Sequence, residues 1–221
     1  MTLVLGITTS TARGEAAIVD GARVLGAASY EDLRGHAERV FAAIDEALSR
    51  ARVERRAIEA IACDVGPGSF SGVRVGVASA KGIALGLGVP AIAVGSLEAL
   101  AHVAFGEAPS RSLVLASISV RGAIGAAGID ELAVAVFDAA LRPIASPRIV
   151  PGTEAAIAAV VAELAPSAGV RFIGAWPPNG DAPAVTPSAA AVATLGLARL
   201  RDVPRALLEP VYLRAAVQPS P

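Results

Sequence analysis

Residues 63–84 read Cys-Asp-Val-Gly-Pro-Gly-Ser-Phe-Ser-Gly-Val-Arg-Val-Gly-Val-Ala-Ser-Ala-Lys-Gly-Ile-Ala, and this stretch constrains the fold more than any other. An apolar run up to Ala62 leads into the tight turn Gly66-Pro67-Gly68, and a helical pattern opens near Ser71 and continues to about Leu87. Strand, glycine turn and helix in that order is how α/β folds present backbone N–H groups to an anion. The spacing is not the dinucleotide G-x-G-x-x-G, because the third glycine, Gly72, comes one residue late, and no Gly-Lys-Ser/Thr closes it as a Walker loop. Pro67 also removes a donor. The turn therefore reads either as a vestigial phosphate turn built on Gly66, Gly68 and Ser69 or as a purely structural one.

The helix after the turn says more. At 100° per residue, Val73, Val77, Ala80, Ala84 and Leu87 fill one side, while Val75, Ala78 and Leu85 fill another. Arg74 and Lys81 share one narrow arc between them. A helix apolar nearly all round is buried nearly all round, so one side covers a sheet and the other needs a second cover, from this chain or from a partner. Gly72, Gly76 and Ala80, four apart, would let another backbone come close. Residues 36–51 form a second helix with surplus apolar surface: Val40, Ile44 and Leu48 with Ala37, Phe41, Ala47 and Ala51 span an arc of roughly 160°, wider than one sheet contact requires. The two helices together predict a helix-pair interface with Phe41, Ile44, Leu48, Val73, Val77 and Ala80 as its candidates; some of these must instead face the chain's own sheet, and the sequence does not divide the two sets. The competing reading is that the second lobe or the C-terminal helix covers the surplus.

Taken in order, strands are expected at 3–8, 15–19 and 23–29, the last two joined by a hairpin turn at Asp20-Gly21. Helix 36–51, a strand at 57–64, the glycine turn with its helix, a strand at 91–94 and a helix at 96–105 capped by Ser96 follow. Residues 106–111 are a short polar break containing Pro109. The pattern then restarts, with strands at 113–120, 123–129 and 132–137, a further extended segment at 142–150, a helix to Leu164 capped by Thr153, and a strand at 170–175. A Pro-rich loop at 176–187, a helix at 188–201 and an irregular tail complete the chain. The order β-β-β-α-β-α followed by β-β-β-α-β is a structural duplication. It predicts an α/β fold of two actin-like, ribonuclease H-like lobes, each with a mixed sheet built on three antiparallel strands. One lobe takes residues 1–105 plus 188–221 and the other, reduced, takes 106–187.

Composition narrows the functional classes. A net charge of −1 leaves no basic surplus to grip a nucleic acid unaided. All but one of the 19 cationic side chains are arginine. The single cysteine, Cys63, excludes an intrachain disulfide and suits a reducing compartment. At the end of an apolar strand it reads as an inert core thiol. No basic start with an apolar block marks a signal peptide, and the longest uncharged runs, at 82–97 and 182–198, are too short and too broken by proline to span a bilayer. A cytoplasmic location and no membrane association are the expectation.

Several linked motifs now resemble one family. The first strand ends Thr8-Thr9-Ser10-Thr11, the first helix opens His36-Ala37-Glu38-Arg39, and residues 66–76 read Gly-Pro-Gly-Ser-Phe-Ser-Gly-Val-Arg-Val-Gly. Ala80-Lys81-Gly82, residues 96–101 (Ser-Leu-Glu-Ala-Leu-Ala) and Pro210-Val211-Tyr212-Leu213-Arg214 complete the set. Together they resemble the bacterial tRNA threonylcarbamoyladenosine biosynthesis family TsaB (YeaZ), closely over the first lobe and tail and poorly from about 106 to 200. The resemblance implies two actin-like lobes and a non-catalytic scaffold role. The implied partners are the related catalytic subunit TsaD, which transfers threonylcarbamoyl to adenosine 37 of ANN-decoding tRNAs, and the ATPase TsaE, with tRNA met only through the complex. It also places the partner contact on the helix pair 36–51 and 71–87. Self-pairing in the partner's absence stays open.

The residues give little support to independent catalysis. The slot that carries a His-x-x-x-His metal pair in the catalytic relative reads Ser96-Leu97-Glu98-Ala99-Leu100, and His36 and His102 lack a partner ligand at i+4. Thr8 stands where many family members keep an acid at the end of the first strand, and residues 117–122, Ser-Ile-Ser-Val-Arg-Gly, carry none either. A kinase needs such acids to manage Mg²⁺. No spacing recommends a nucleophile–base pair around His36. The expectation is no cofactor, no metal and no catalytic residue; the alternative is a small actin-fold phosphotransferase acting on a sugar or acyl group.

Overall fold

A computed structural model of the chain describes residues 2–32, 35–107, 113–120, 124–125, 128–129, 131–176, 184–200 and 208–213. The chain opens with β1 (Leu3–Thr8), β2 (Arg13–Asp20) and β3 (Arg23–Glu31). β2 and β3 pair with Asp20 opposite Arg23. The two-residue turn between them begins at Gly21, whose φ of +61° is the conformation that a tight hairpin demands at its first loop residue. Next come α1 (His36–Ala51), a 3₁₀ turn at Arg55–Ala57, β4 (Ala60–Asp64), α2 (Phe70–Leu87), β5 (Ala91–Val94) and α3 (Ser96–Glu107). The strand expected from residue 57 starts at Ala60 because the 3₁₀ turn takes the preceding residues.

β1 lies at the centre of a five-stranded sheet of order β3-β2-β1-β4-β5, antiparallel to β2 and parallel to β4. Its alternation divides the lobe. Leu3, Leu5 and Ile7 face a core shared with Val40, Ile44 and Leu48 of α1 and Val73, Val77 and Ala80 of α2. Val4 faces the opposite side, where α5 (Ala189–Arg199) lies with Ala191, Val192 and Leu195. Gly6 is required there: a Cβ on it would stand 2.1 Å from the Ala189 carbonyl oxygen. α5 thus covers the face of the sheet opposite the helix pair, and among the described residues Phe41 and Leu85 stay exposed on the outer surface of α1 and α2.

The second sheet has β6 (Leu113–Ser119), β9 (Glu131–Phe137), β10 (Arg148–Pro151) and β11 (Val170–Gly174) in the order β10-β9-β6-β11, with β6 parallel to β11 and antiparallel to β9. Its first strand is again internal, flanked by an antiparallel neighbour and a parallel one. The two sheets repeat one β-β-β-α-β plan, which makes the molecule a two-lobed, actin-like α/β protein. The single strand expected at 123–129 is instead two short strands, β7 (Ile124–Gly125) and β8 (Gly128–Ile129), paired with each other. β9 therefore pairs directly with β6, and β10 is the lobe's third strand. α4 (Glu154–Leu164), capped by Thr153 Oγ1 accepting from Ala156 N–H, covers one face of this sheet with Ile157 and Val160. α3 covers the other with Leu97, Leu100, Ala101 and Ala104, and its Ala99 faces the α5 side. Packing against both cores, α3 ties the lobes together.

Candidate functional site

The first loop, the glycine turn and the start of α3 meet around one carboxylate. Asp64, the last residue of β4, is fully buried. Thr8 Oγ1 donates to its Oδ2 at 2.7 Å, the Gly66 N–H donates to its Oδ1 at 3.0 Å, and Ser96 Oγ donates to the same oxygen. Ser10 Oγ, which has no hydrogen bond of standard geometry, lies close enough to favour the ionised form as well. Burial pushes the Asp64 carboxyl above its ordinary value, and these donors pull it back. Ser96 is accordingly not the cap of α3. Its hydroxyl turns to Asp64, and the first helical acceptor is the carbonyl of Gly95, bonded by Ala99 N–H. The acid missing at Thr8 is thus replaced in space by one from the adjacent strand. Sequence reasoning passed over Asp64, although an acid ending a buried parallel strand beside a glycine turn occupies the place where α/β folds bind ligands.

The turn is engaged by the chain itself. Ser69 N–H donates to the Ser10 carbonyl at 2.7 Å, and Gly72 N–H donates to Ser69 Oγ, the N-cap of α2. A Cβ on Gly68 would stand 2.3 Å from the Ser10 carbonyl oxygen, and one on Gly72 would stand 2.0 Å from that of Thr9. Thr9 Oγ1 donates to the Gly72 carbonyl at 2.7 Å. The backbone that the Gly72–Gly76 spacing admits is therefore the chain's own first loop. Of the three expected phosphate-turn residues, Gly66 and Ser69 have their N–H groups occupied by Asp64 and Ser10.

The other chemically capable groups are also committed. His36 Nε2 lies 2.8 Å from the Thr11 carbonyl, which can only accept, so that nitrogen carries the proton and Tyr30 Oη donates to Nδ1 at 3.0 Å. Burial lowers the His36 pKa, and burial with the nearby Asp32 charge pushes the Tyr30 phenol up to about 12. The Cys63 thiol is buried, pushed well above its ordinary value by desolvation, and donates to the Asp64 carbonyl. In the second lobe, Ser117 Oγ donates to the Ile173 carbonyl and accepts from Trp176 N–H, fastening β6 to β11. Arg121 and Gly122 of the expected phosphate hairpin, and Arg214 of the tail motif, lie outside the described residues. Among the described residues no three His, Cys, Asp or Glu side chains cluster as a metal site would need.

The expected interface residues separate into two groups. Ile44, Leu48, Val73, Val77 and Ala80 are buried against this lobe's own sheet and are not free to meet a partner. The wide apolar arcs mislead here because α1 and α2 share one core, so each also needs apolar residues toward the other. Phe41 is the exception, at 48% exposure. On α2 the uncovered stripe carries Phe70, Arg74, Ala78, Lys81, Gly82 and Leu85, and Leu85 is 86% exposed. Between the helices runs a shallow groove of about 370 Å³ lined by Phe41, Arg55, Ala78, Ser79, Gly82, Ile83, Gly86 and Leu87. A Cβ on Gly82 or Gly86 would meet nothing within 4 Å, so this surface is open to close approach.

Comparison with known proteins places these features. The family model described as TsaD, tRNA N6-adenosine threonylcarbamoyltransferase, matches residues 28–123. Over 88 residues the chain is 40% identical to the tRNA threonylcarbamoyladenosine biosynthesis protein TsaB of Haemophilus influenzae, covering 40% of this chain and 37% of that protein. It is 36% identical over 88 residues to the TsaB of Escherichia coli, covering 40% and 38%. YeaZ from Pseudomonas aeruginosa superposes with a TM-score of 0.75 at 27% identity, covering 96% of this chain and 100% of that one. In sequence over part of its length and in fold over nearly all of it, the chain is similar to the TsaB/YeaZ family. It spans 37% and 38% of the length of the two curated relatives it matches. The segment that matches the TsaD model, residues 28–123, takes in α1, β4 with the glycine turn, α2, β5 and α3. Among the described residues no helix is long and apolar enough to cross a membrane.

Proposed function

We propose that this chain is a scaffold subunit for threonylcarbamoyl modification of tRNA and docks a TsaD-like catalytic subunit on the outer face of α1 and α2. The observation that carries the reading is this uncovered face, with exposed Phe41 and Leu85 flanking the small residues Ala78, Gly82 and Gly86. It lies within the segment that the chain shares with TsaD sequences. A monomer gains nothing from a leucine at 86% exposure, whereas an interface core is built from such side chains. The scaffold role is supported by the chemistry around the glycine turn: Asp64 is saturated by donors, both ring nitrogens of His36 are engaged, and the Cys63 thiol is buried. On this reading tRNA and an ATPase of the TsaE kind meet the chain only in the complex, in the cytoplasm.

The test is co-expression with the TsaD-like protein of the same host followed by size-exclusion chromatography with light scattering. A stoichiometric complex is expected, and Leu85→Glu should dissolve it while leaving the monomer's melting temperature unchanged. Two separate peaks from the wild-type proteins would refute the reading.

A further inference from the structure

Arg74 is held in a way that an unused surface arginine is not. Its guanidinium carbon lies 3.7 Å from the centroid of the Phe70 ring, and its Nε donates to Tyr212 Oη at 2.9 Å. The Tyr212 ring in turn packs on Phe70 with centroids 5.2 Å apart. Tyr212 belongs to a segment far along the chain, and that segment is anchored: Val211 N–H donates to the Val65 carbonyl at 2.7 Å, and Leu208 is buried in the core beneath α1 and α2. Elsewhere Arg50, Arg55, Arg148 and Arg199 each face a carboxylate. Arg74 has no acidic partner among the described residues, and neither has Lys81 two turns further along the same stripe.

Stacking fixes the plane of the guanidinium, and the Nε bond fixes its direction. Both terminal amino groups then remain without a partner among the described residues, in the geometry that takes a carboxylate by two parallel hydrogen bonds. We propose that Arg74, clamped by Phe70 and Tyr212, is a preset receptor for a carboxylate on a helix of the TsaD-like partner. The segment 208–213 therefore orients the docking face as well as covering the core. The inference rests on the reading of α1 and α2 as the docking face. Arg74 shares the exposed arc of α2 with Ala78 and Leu85, so a helix lying in the groove passes over it. A protein carboxylate is favoured over a nucleic-acid phosphate because the surrounding stripe is small and apolar, and the chain, at net charge −1, has no basic surplus. Holding the guanidinium in place before contact removes the side-chain ordering cost that an exposed arginine otherwise meets on binding.

The experiment measures the dissociation constant of the complex by calorimetry for wild type, Arg74→Gln, Arg74→Lys and Tyr212→Phe, at low and high salt. Arg74→Gln should weaken binding by about 30-fold, as for a hot-spot residue. Arg74→Lys should fare little better, because a lysine neither stacks nor forks. Tyr212→Phe, which removes only the hydroxyl anchor, should weaken binding several-fold with unchanged melting of the monomer. Arg74→Gln should also flatten the salt dependence. If the wild-type proteins do not associate, the reading of the face and this inference fall together. If they associate and Arg74→Gln and Tyr212→Phe bind within twofold of wild type, this inference alone is overturned. It is likewise overturned if the variants leave the protein complex intact and reduce only tRNA binding or only self-association.

Discussion

Replacing Leu48 and Phe41 by glutamate, one at a time, separates core from docking face on a single helix. Leu48 is 6% exposed and sits in the cluster that joins α1 to the sheet. Removing such a side chain costs about 2–5 kcal/mol in lost transfer and residual cavity. A carboxylate placed there without a partner adds about 3 kcal/mol or more. The sum, about 5–8 kcal/mol, equals much of the 5–15 kcal/mol that holds an ordinary domain together. Leu48→Glu should therefore fail to accumulate as a folded monomer. Phe41, two turns earlier on the same edge of α1 but half-exposed, should cost about 1 kcal/mol or less on the same exchange, yet abolish assembly with the partner. The assay is urea unfolding followed by far-UV circular dichroism, run beside a sizing column. A Leu48→Glu midpoint within about 0.5 M of wild type, or about 1 kcal/mol at a urea slope near 2 kcal/mol/M, would refute the assignment of Leu48 to the core. Unimpaired assembly of Phe41→Glu would refute the assignment of Phe41 to the face.

Asp64→Ala should destabilise the chain by about 3–5 kcal/mol, because it leaves the Thr8 and Ser96 hydroxyls and the Gly66 N–H without their acceptor. Asp64→Asn should cost less than half as much in the same melt, since one amide oxygen remains; equal losses would show that the charge and not the hydrogen bonds matters. His36, whose pKa is lowered in the fold by burial, contributes stability that is present above the ordinary histidine range near 6.5 and is lost as pH falls below it. Melting temperature should therefore drop between pH 7 and 5.5 by more in wild type than in His36→Gln, and parallel profiles for the two proteins would contradict this.

The order of elements was legible because each is announced by local chemistry. α1 has its expected bounds, β5 likewise, and Thr153 caps α4 as its place before an apolar period predicts. The 123–129 segment failed because alternation alone does not distinguish one strand from a small hairpin that pairs with itself. The buried and exposed parts of the α1 arc could not be divided for a different reason. Periodicity locates an apolar arc but not what covers each part of it, and Ile44 and Leu48 are covered by a sheet whose position no local pattern reports. Asp64 escaped notice because its meaning is spatial: only the parallel pairing of β1 and β4 brings it beside Thr8. The clamp on Arg74 was equally hidden, since Tyr212 lies 138 residues away.

The proposed role of this chain is to serve the threonylcarbamoyl modification of tRNA without doing the chemistry itself. It is tested most directly by mass spectrometry of nucleosides from bulk tRNA of a host strain depleted of this protein and complemented in turn with wild type, Asp64→Asn and Leu85→Glu. Threonylcarbamoyladenosine should fall on depletion, return with wild type and with Asp64→Asn, and stay low with Leu85→Glu. A level unchanged by depletion would contradict the functional reading, and loss restricted to Asp64→Asn would show that the Asp64 site, not the docking face, carries the activity.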